Sequence, residues 1–400
     1  MTDAPTLSLP LPTAKPEDVG LLPAGLARLE AAMGREVAAR RVPGVAMLIA
    51  RGGKVGYRGA IGALRPEGPA MRGDAIFRIY SMTKPIVSVA LMSLAEEGRL
   101  LLTDPLAAFI PEFADVTVGV ERDGALERVA PERPITIHDL LRHTSGLTYP
   151  NAGATAVERL YAEAPLFGHD GGSAGFVAAL AKLPLASQPG AQFNYGHSTD
   201  VLGRVVEIVA GQSLGAVLRE RILGPLAMND TAFFAPPEKH DRLAEPFAQD
   251  PDTGAPVKLI ERRTPPSIEM GGSGLVSTIE DYARFMQALA LGGALDGARV
   301  IGRKTLEFMT ADHLGPAVGI ATIELLTPGL GFGLGFAVRR VTGLAPTPGS
   351  PGEYFWSGIG GTYFWIDPAE RLMALMMTQA PGRRFYYRQL FRNLVHGALA

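Results

Sequence analysis

The sequence predicts an α+β fold: one antiparallel sheet assembled from both ends of the chain, with helices packed on it and a mainly helical region inserted between. Three observations carry this reading. Strand-like runs lie near residues 45–61 and again near 332–378, Gly52-Gly53 supplies the positive φ of a tight hairpin turn, and the long middle reads as helical stripes and proline-rich loops. With no repeat of fixed period, a single sheet closed by the two termini is the economical architecture. In residue terms, 1–22 is an N-terminal extension, 23–84 and 291–400 form the sheet-containing part, and 85–290 is the mainly helical region with its active-site loops.

Taken in order, Leu26, Leu29, Met33 and Val37 recur at spacings of three and four, which predicts an amphipathic helix over 23–41 that Pro43-Gly44 ends. Residues 45–51 and 54–61 then make the hairpin. From Pro85 the chain is apolar on every side through Ile86, Val87, Val89, Leu91, Met92 and Leu94, so this helix is buried, and it stops near Gly98. Toward the other end, Phe332, Leu334, Phe336 and Val338 alternate along one predicted strand. Further strands follow at 353–356, 362–366 and 372–378, the last two joined by Asp367-Pro368. Tyr387, Leu390, Phe391, Leu394 and Val395 mark one stripe of a closing helix.

Composition excludes several function classes. The 38 Lys+Arg against 40 Asp+Glu give a formal net charge of −2, so nothing draws the chain to nucleic acid or to an anionic membrane surface. A hydrophobic content of 47% with 20% charged residues fills a sizeable core. The absence of Cys removes thiolate nucleophiles and Cys-based metal sites. The first ten residues lack the basic region and continuous apolar stretch of a secretory signal, and the apolar run 85–95 is short of the roughly 20 residues that span a bilayer. A soluble, cytoplasmic protein is the expectation.

The chemistry centres on Phe77-Arg78-Ile79-Tyr80-Ser81-Met82-Thr83-Lys84-Pro85. Proline is tolerated in the first turn of a helix, which places Ser81 at the N-terminus of the buried helix and Lys84 one turn later on the same face. A serine hydroxyl is a weak nucleophile until a base takes its proton, and a desolvated lysine can do so. Ser81 is the only serine in the chain with Lys three residues on. The competing reading, a Ser81 that merely caps the helix beside a solvated Lys84, would leave a lysine at the head of a wholly apolar helix without a partner.

These residues, with Ile135-Thr136-Ile137-His138-Asp139-Leu140-Leu141-Arg142-His143-Thr144-Ser145-Gly146-Leu147, Pro189 to Tyr195, Gly224-Pro225-Leu226-Ala227-Met228 and Gly272 to Thr278, resemble the class C β-lactamase and penicillin-binding-protein-like serine hydrolases. Their esterase branch is the family VIII carboxylesterases. The resemblance runs from about Leu22 to Leu394 and implies a β-lactamase/transpeptidase-like fold. It also implies that Tyr195 faces the Ser/Lys pair and relays protons. Two departures from the lactamase pattern stand out: Tyr195-Gly196-His197 puts His197 where an asparagine would bind a lactam amide, and Trp356-Ser357-Gly358 stands where Lys-Thr-Gly would present a cation. A Trp-x-Gly triplet resembles the family VIII esterases. The strand is then expected to supply an oxyanion N–H from Ile359, paired with that of Ser81, while Gly358, Gly360 and Gly361 let a substrate approach the backbone.

Other signals carry no chemistry in this reading. Gly211-Gln212-Ser213-Leu214-Gly215 matches a nucleophile elbow, but the helical stripe of Leu202, Val205, Val206 and Val209 precedes it where an elbow needs a strand, so Gly211 is a helix C-cap and Ser213 an N-cap. His138 and His143 lack carboxylate companions at metal-ligand spacing and are expected to be structural. Ser273 is a loop residue, and the glycine-rich 332–335 begins no helix, which excludes a dinucleotide site. Ser277-Thr278-Ile279-Glu280 reads as a capping box. No cofactor or metal is expected, and the oligomeric state is not legible. The resulting expectation is a serine carboxylesterase acting on small uncharged, short-chain acyl esters through Ser81, Lys84 and Tyr195, with Trp356, Ser357, Gly358 and His197 against the substrate. The alternatives are a β-lactamase or D-aminopeptidase-like hydrolase, an acyltransferase using the same acyl-enzyme, and a catalytically silent binding module.

Overall fold

A sheet with a hydrophobic core on each face builds the molecule in layers. The computed structural model describes residues 10–150, 155–167, 171–321 and 325–400; Met1 to Leu9 of the expected extension lie outside them. Among the described residues the main sheet has seven strands. They are β1 (Gly44–Arg51), β2 (Lys54–Gly62), β3 (Leu330–Phe332), β4 (Ala337–Arg339), β5 (Tyr354–Ser357), β6 (Tyr363–Asp367) and β7 (Leu372–Thr378). Their order is β3-β4-β5-β6-β7-β1-β2, every neighbour antiparallel.

Strands from the two ends of the chain therefore pair inside the sheet, Val45 with Thr378 and Arg51 with Leu372. Because successive strand residues face opposite sides, β1 sends Val45, Met47 and Ile49 to one face and Ala46, Leu48 and Ala50 to the other. The first face packs on α1 (Pro23–Ala38) through Leu26, Leu29 and Met33, and on the closing helix Arg384–His396 through Tyr387, Phe391 and Val395. The second face meets the larger core, which holds α2 (Thr83–Glu96), α3 (Ile137–Leu141), α4 (Ser198–Ala210) and α5 (Ile279–Ala290). The closing helix is α6. At the free edge of β2, Val55 exchanges hydrogen bonds with Pro12 and Ala14, so the described part of the extension covers that edge. No single helix among the described residues is long and apolar enough to cross a membrane.

Two local expectations need correction. Phe332, Leu334, Phe336 and Val338 alternate, yet they do not share one strand: β3 and β4 form a hairpin in which Leu330 pairs with Arg339 and Phe332 with Ala337. Gly335 turns the chain at φ +95°, where a Cβ would sit 2.4 Å from Ser88 Oγ of α2. All four apolar residues are buried because this turn is pressed into the core. The cap of α5 is shifted by one residue. Thr278 accepts from Asp281 N, whereas Ser277 belongs to a two-strand ladder pairing Phe77 with Ser277.

Candidate active site

The nucleophile segment leaves the short strand Phe77–Arg78 and enters a 3-10 turn, Tyr80–Met82, before α2 begins. Tyr80 takes a left-handed φ of 46°, a conformation that costs a non-glycine residue about 1–3 kcal/mol and is held by its surroundings. Its phenol accepts a hydrogen bond from Ile260 N at 2.9 Å. The outcome is a Ser81 that stands half-buried at a cavity mouth and does not cap α2, whose N-cap Met82 makes no side-chain cap. Lys84, in the first turn of α2, is fully buried.

Lys84 Nζ lies 3.3 Å from Ser81 Oγ, 3.1 Å from Tyr149 OH and 2.7 Å from the carbonyl of Gly272. None of these partners carries a charge, since burial and the neighbouring Asp200 carboxylate raise the Tyr149 phenol well above its ordinary range. Tyr149 is also hydrogen-bonded to that carboxylate. Counting donors then fixes a direction. The Asp200 carboxylate can only accept, so Tyr149 donates to it and its oxygen accepts from Lys84. The Gly272 carbonyl can only accept as well. The third contact runs from Nζ to Ser81 Oγ; when Lys84 acts as a base, with two N–H donors left, these two partners take both and its lone pair faces Ser81. Asp200 is itself fixed by Gly272 N at 2.6 Å and His197 Nδ1 at 2.8 Å.

Tyr195 lies beside this group, its ring 4.6 Å from Lys84 Nζ. The indole N–H of Trp356, which can only donate, reaches Tyr195 OH at 3.2 Å. His197 is buried, and its Nδ1 engages Asp200 at 2.8 Å. Gly196 explains how the two tyrosines come together: a Cβ there would sit 2.4 Å from Leu147 O and Thr148 Cα, so the Tyr195 loop rests directly on the backbone that carries Tyr149.

Trp356 and Ser357 end β5, and Gly358 to Gly361 turn into β6, with Gly361 N bonded to Gly358 O at 3.1 Å. Two of the glycines serve a close contact within the protein. A Cβ on Gly358 would lie 2.4 Å from Ile79 O, and one on Gly360 2.9 Å from the Tyr80 ring, so these positions admit the protein's own nucleophile segment. Ile359 is carried at the tip, 52% exposed, over the same cavity as Ser81.

That cavity has a volume of about 780 Å³. Tyr161, Leu166, Ile268, Met270 and Leu325 make much of it apolar, and Ser81, Tyr149, Tyr195, His197, Trp356 and Ser357 converge on it. Ser213, by contrast, caps the helix Leu214–Leu218 by accepting from Ala216 N, and Gly211 ends α4 at φ 73°, as the sequence predicts. His138 contacts His313 at 2.9 Å and His143 is buried against the Tyr195 ring. The grouping Glu353, Asp367 and His396 is a structural ion network, because Arg339 and Arg392 hold Glu353 at 2.7 Å each.

A family model described as Beta-lactamase matches residues 28–398. The chain belongs to the beta-lactamase family. Protein Rv1367c of Mycobacterium tuberculosis is 37% identical over 341 residues, covering 82% of this chain and 81% of the relative. Esterase EstB of Burkholderia gladioli is 32% identical over 371 residues, covering 88% of this chain and 90% of the esterase. Among solved structures, EstCE1, a hydrolase with promiscuous acyltransferase activity, matches at a TM-score of 0.77 and 27% identity, over 94% of this chain and 99% of that one. The beta-lactamase-like fold and the resemblance to its esterases are thereby established, and the chain is a serine hydrolase of this family.

Sequence reasoning did not single out Tyr149, the Gly272 carbonyl or the buried side of Asp200. Tyr149 lies two residues after the Thr144-Ser145-Gly146-Leu147 run, and Asp200 stands where a helix-capping residue would. Only their positions around Lys84 distinguish them from ordinary loop and cap residues.

Proposed function

We propose that the protein is a carboxylesterase that hydrolyses uncharged, short-chain acyl esters through an acyl-enzyme on Ser81. Ser81 Oγ attacks the ester carbonyl as its proton passes to the lone pair of Lys84. The N–H groups of Ser81 and Ile359 face the oxyanion. Collapse breaks the C–O bond, and the departing alkoxide takes the proton back from Lys84 by way of Tyr195, whose oxygen accepts from Trp356 and whose own proton is turned away from the indole. Water then attacks the acyl-enzyme, with the same base taking its proton and Ser81 as leaving group.

The observation that carries the choice of ester over lactam is the state of Trp356 and His197. The indole brings no charge and donates to Tyr195, while the imidazole is buried with Nδ1 on Asp200. A lactam carboxylate and its side-chain amide therefore lose two groups that would hold them, the charged hydrogen bond to the carboxylate being worth about 1.5–3 kcal/mol and the neutral one to the amide about 0.5–1.5 kcal/mol. The esterase EstB among the relatives supports the same direction. A second reading, acyl transfer to an alcohol in place of water, is favoured by the roomy apolar cavity and by the transferase side activity of EstCE1.

The test compares kcat/KM for a short aryl ester and a chromogenic cephalosporin, with ring opening followed separately from ester cleavage. The ester is expected to be ahead by roughly one to two powers of ten or more. Equal or greater efficiency on the lactam ring would replace the esterase reading with a β-lactamase one.

A further inference from the structure

The closing helix α6 carries Arg384, Arg388 and Arg392 at spacings of four on one face, and no acidic residue. Their surroundings differ. Arg392 is neutralised by Glu353 at 2.7 Å and bonded to Tyr363 OH, as a structural buried arginine is expected to be. Arg388 lines the active-site cavity half-buried, and its hydrogen bond from Nη2 goes to the carbonyl of Gly358 at 2.8 Å. The strongest charge acting on it is Arg384, of its own sign, and burial together with that repulsion pushes the guanidinium down to about 10.

The oxygen it holds belongs to the peptide unit whose other end is the N–H of Ile359. That unit is planar, so fixing the direction of the oxygen fixes the direction of the N–H. A cation on the oxygen also draws electron density through the amide and makes the N–H a stronger donor, since hydrogen bonds in series polarise one another. Gly361 N reaches the same oxygen at 3.1 Å, but a neutral amide does not supply the charge. We propose that Arg388 is a positioning residue for the oxyanion site, orienting and polarising the Gly358–Ile359 peptide from the side opposite the substrate. This rests on the reading of Ile359 N–H as an oxyanion donor.

The experiment uses Arg388→Met and Arg388→Lys against wild type, with three probes: a neutral short aryl ester, the matching ester with a terminal carboxylate, and a small boronic acid that forms a tetrahedral anion on Ser81. Arg388→Met is expected to lower kcat about tenfold to thirtyfold on both esters, with KM within about twofold, and to weaken the boronic acid by the same factor. Arg388→Lys restores most of the loss. An unchanged kcat, a loss confined to the carboxylate-bearing ester, or a rise in KM alone overturns the proposal; the second outcome would make Arg388 a substrate-binding group. Should Arg388→Met not fold, Arg388→Gln carries the test, because its amide can reach Gly358 without a charge and the same kcat loss is expected. Fluorophosphonate labelling of wild-type Ser81 separates the two levels: labelling with no Arg388 effect sinks this proposal alone, whereas no labelling sinks the reading beneath it.

Discussion

At the scale of residues, the two tyrosines beside Lys84 differ in what their oxygens do. Tyr149 OH bridges Lys84 and Asp200, whereas Tyr195 OH accepts from Trp356; in the proposed mechanism the first sets the direction of the base and the second serves the leaving group. An activated phenol departs as its anion without a proton, but an alkyl alcohol must be protonated as it leaves. Tyr195→Phe is therefore expected to reduce kcat on an alkyl ester by about 10²-fold and much less on a nitrophenyl ester, while Tyr149→Phe lowers both alike by about tenfold. Steady-state kinetics on the two esters decides it. Equal sensitivity of Tyr195→Phe to the two leaving groups would remove the proton-relay role.

At the scale of elements, close backbone contacts hold the site together. Gly196 lets one loop lie on another, and a Cβ there, 2.4 Å from Leu147 O, meets main chain that cannot turn aside. Gly196→Ala is expected to cost about 1–3 kcal/mol in stability and to lower kcat by separating Tyr149 from Tyr195. Unchanged activity with an unchanged Tm would show that the contact has no such role. These contacts also mark where sequence reading stops. Ser81 and Lys84 were legible because three residues separate them at the head of an all-apolar helix, a local fact. Tyr149, Asp200 and Gly272 reach Lys84 from separate segments, and nothing in the spacing of each one points to it. The hairpin of β3 and β4 was misread for a related reason: both of its faces are buried, so alternation of period two continued through a turn that only Gly335 betrays.

At the scale of the whole molecule, the sheet was readable because β1 and β2 are joined by Gly52-Gly53 and β6 and β7 by Asp367-Pro368, while the meeting of β1 with β7 follows from their both being buried on two sides. Packing of this kind has a consequence for acid stability. Burial holds His138, His143, His313 and His396 below the ordinary histidine value of 6.5, His138 to about 4. A base whose folded pKa is depressed binds fewer protons in the native state than in the unfolded one. Its contribution is thus fully present above 6.5 and is lost as pH falls toward the folded value. Asp281, raised by burial to about 6, acts oppositely between about 6 and its unfolded value of 3.8. Tm measured by calorimetry is expected to fall below pH 6.5, because the four histidines outweigh the single opposing Asp281. A Tm that rises or stays level from pH 7.5 to about 5.5 would contradict the account.

The central claim is that Ser81 forms the covalent intermediate, and mass spectrometry of the chain after reaction with a fluorophosphonate tests it most directly. The account predicts one adduct, mapped to the peptide containing Ser81, absent from Ser81→Ala and undiminished in Ser213→Ala. An adduct on Ser213, or one that persists in Ser81→Ala, would contradict it.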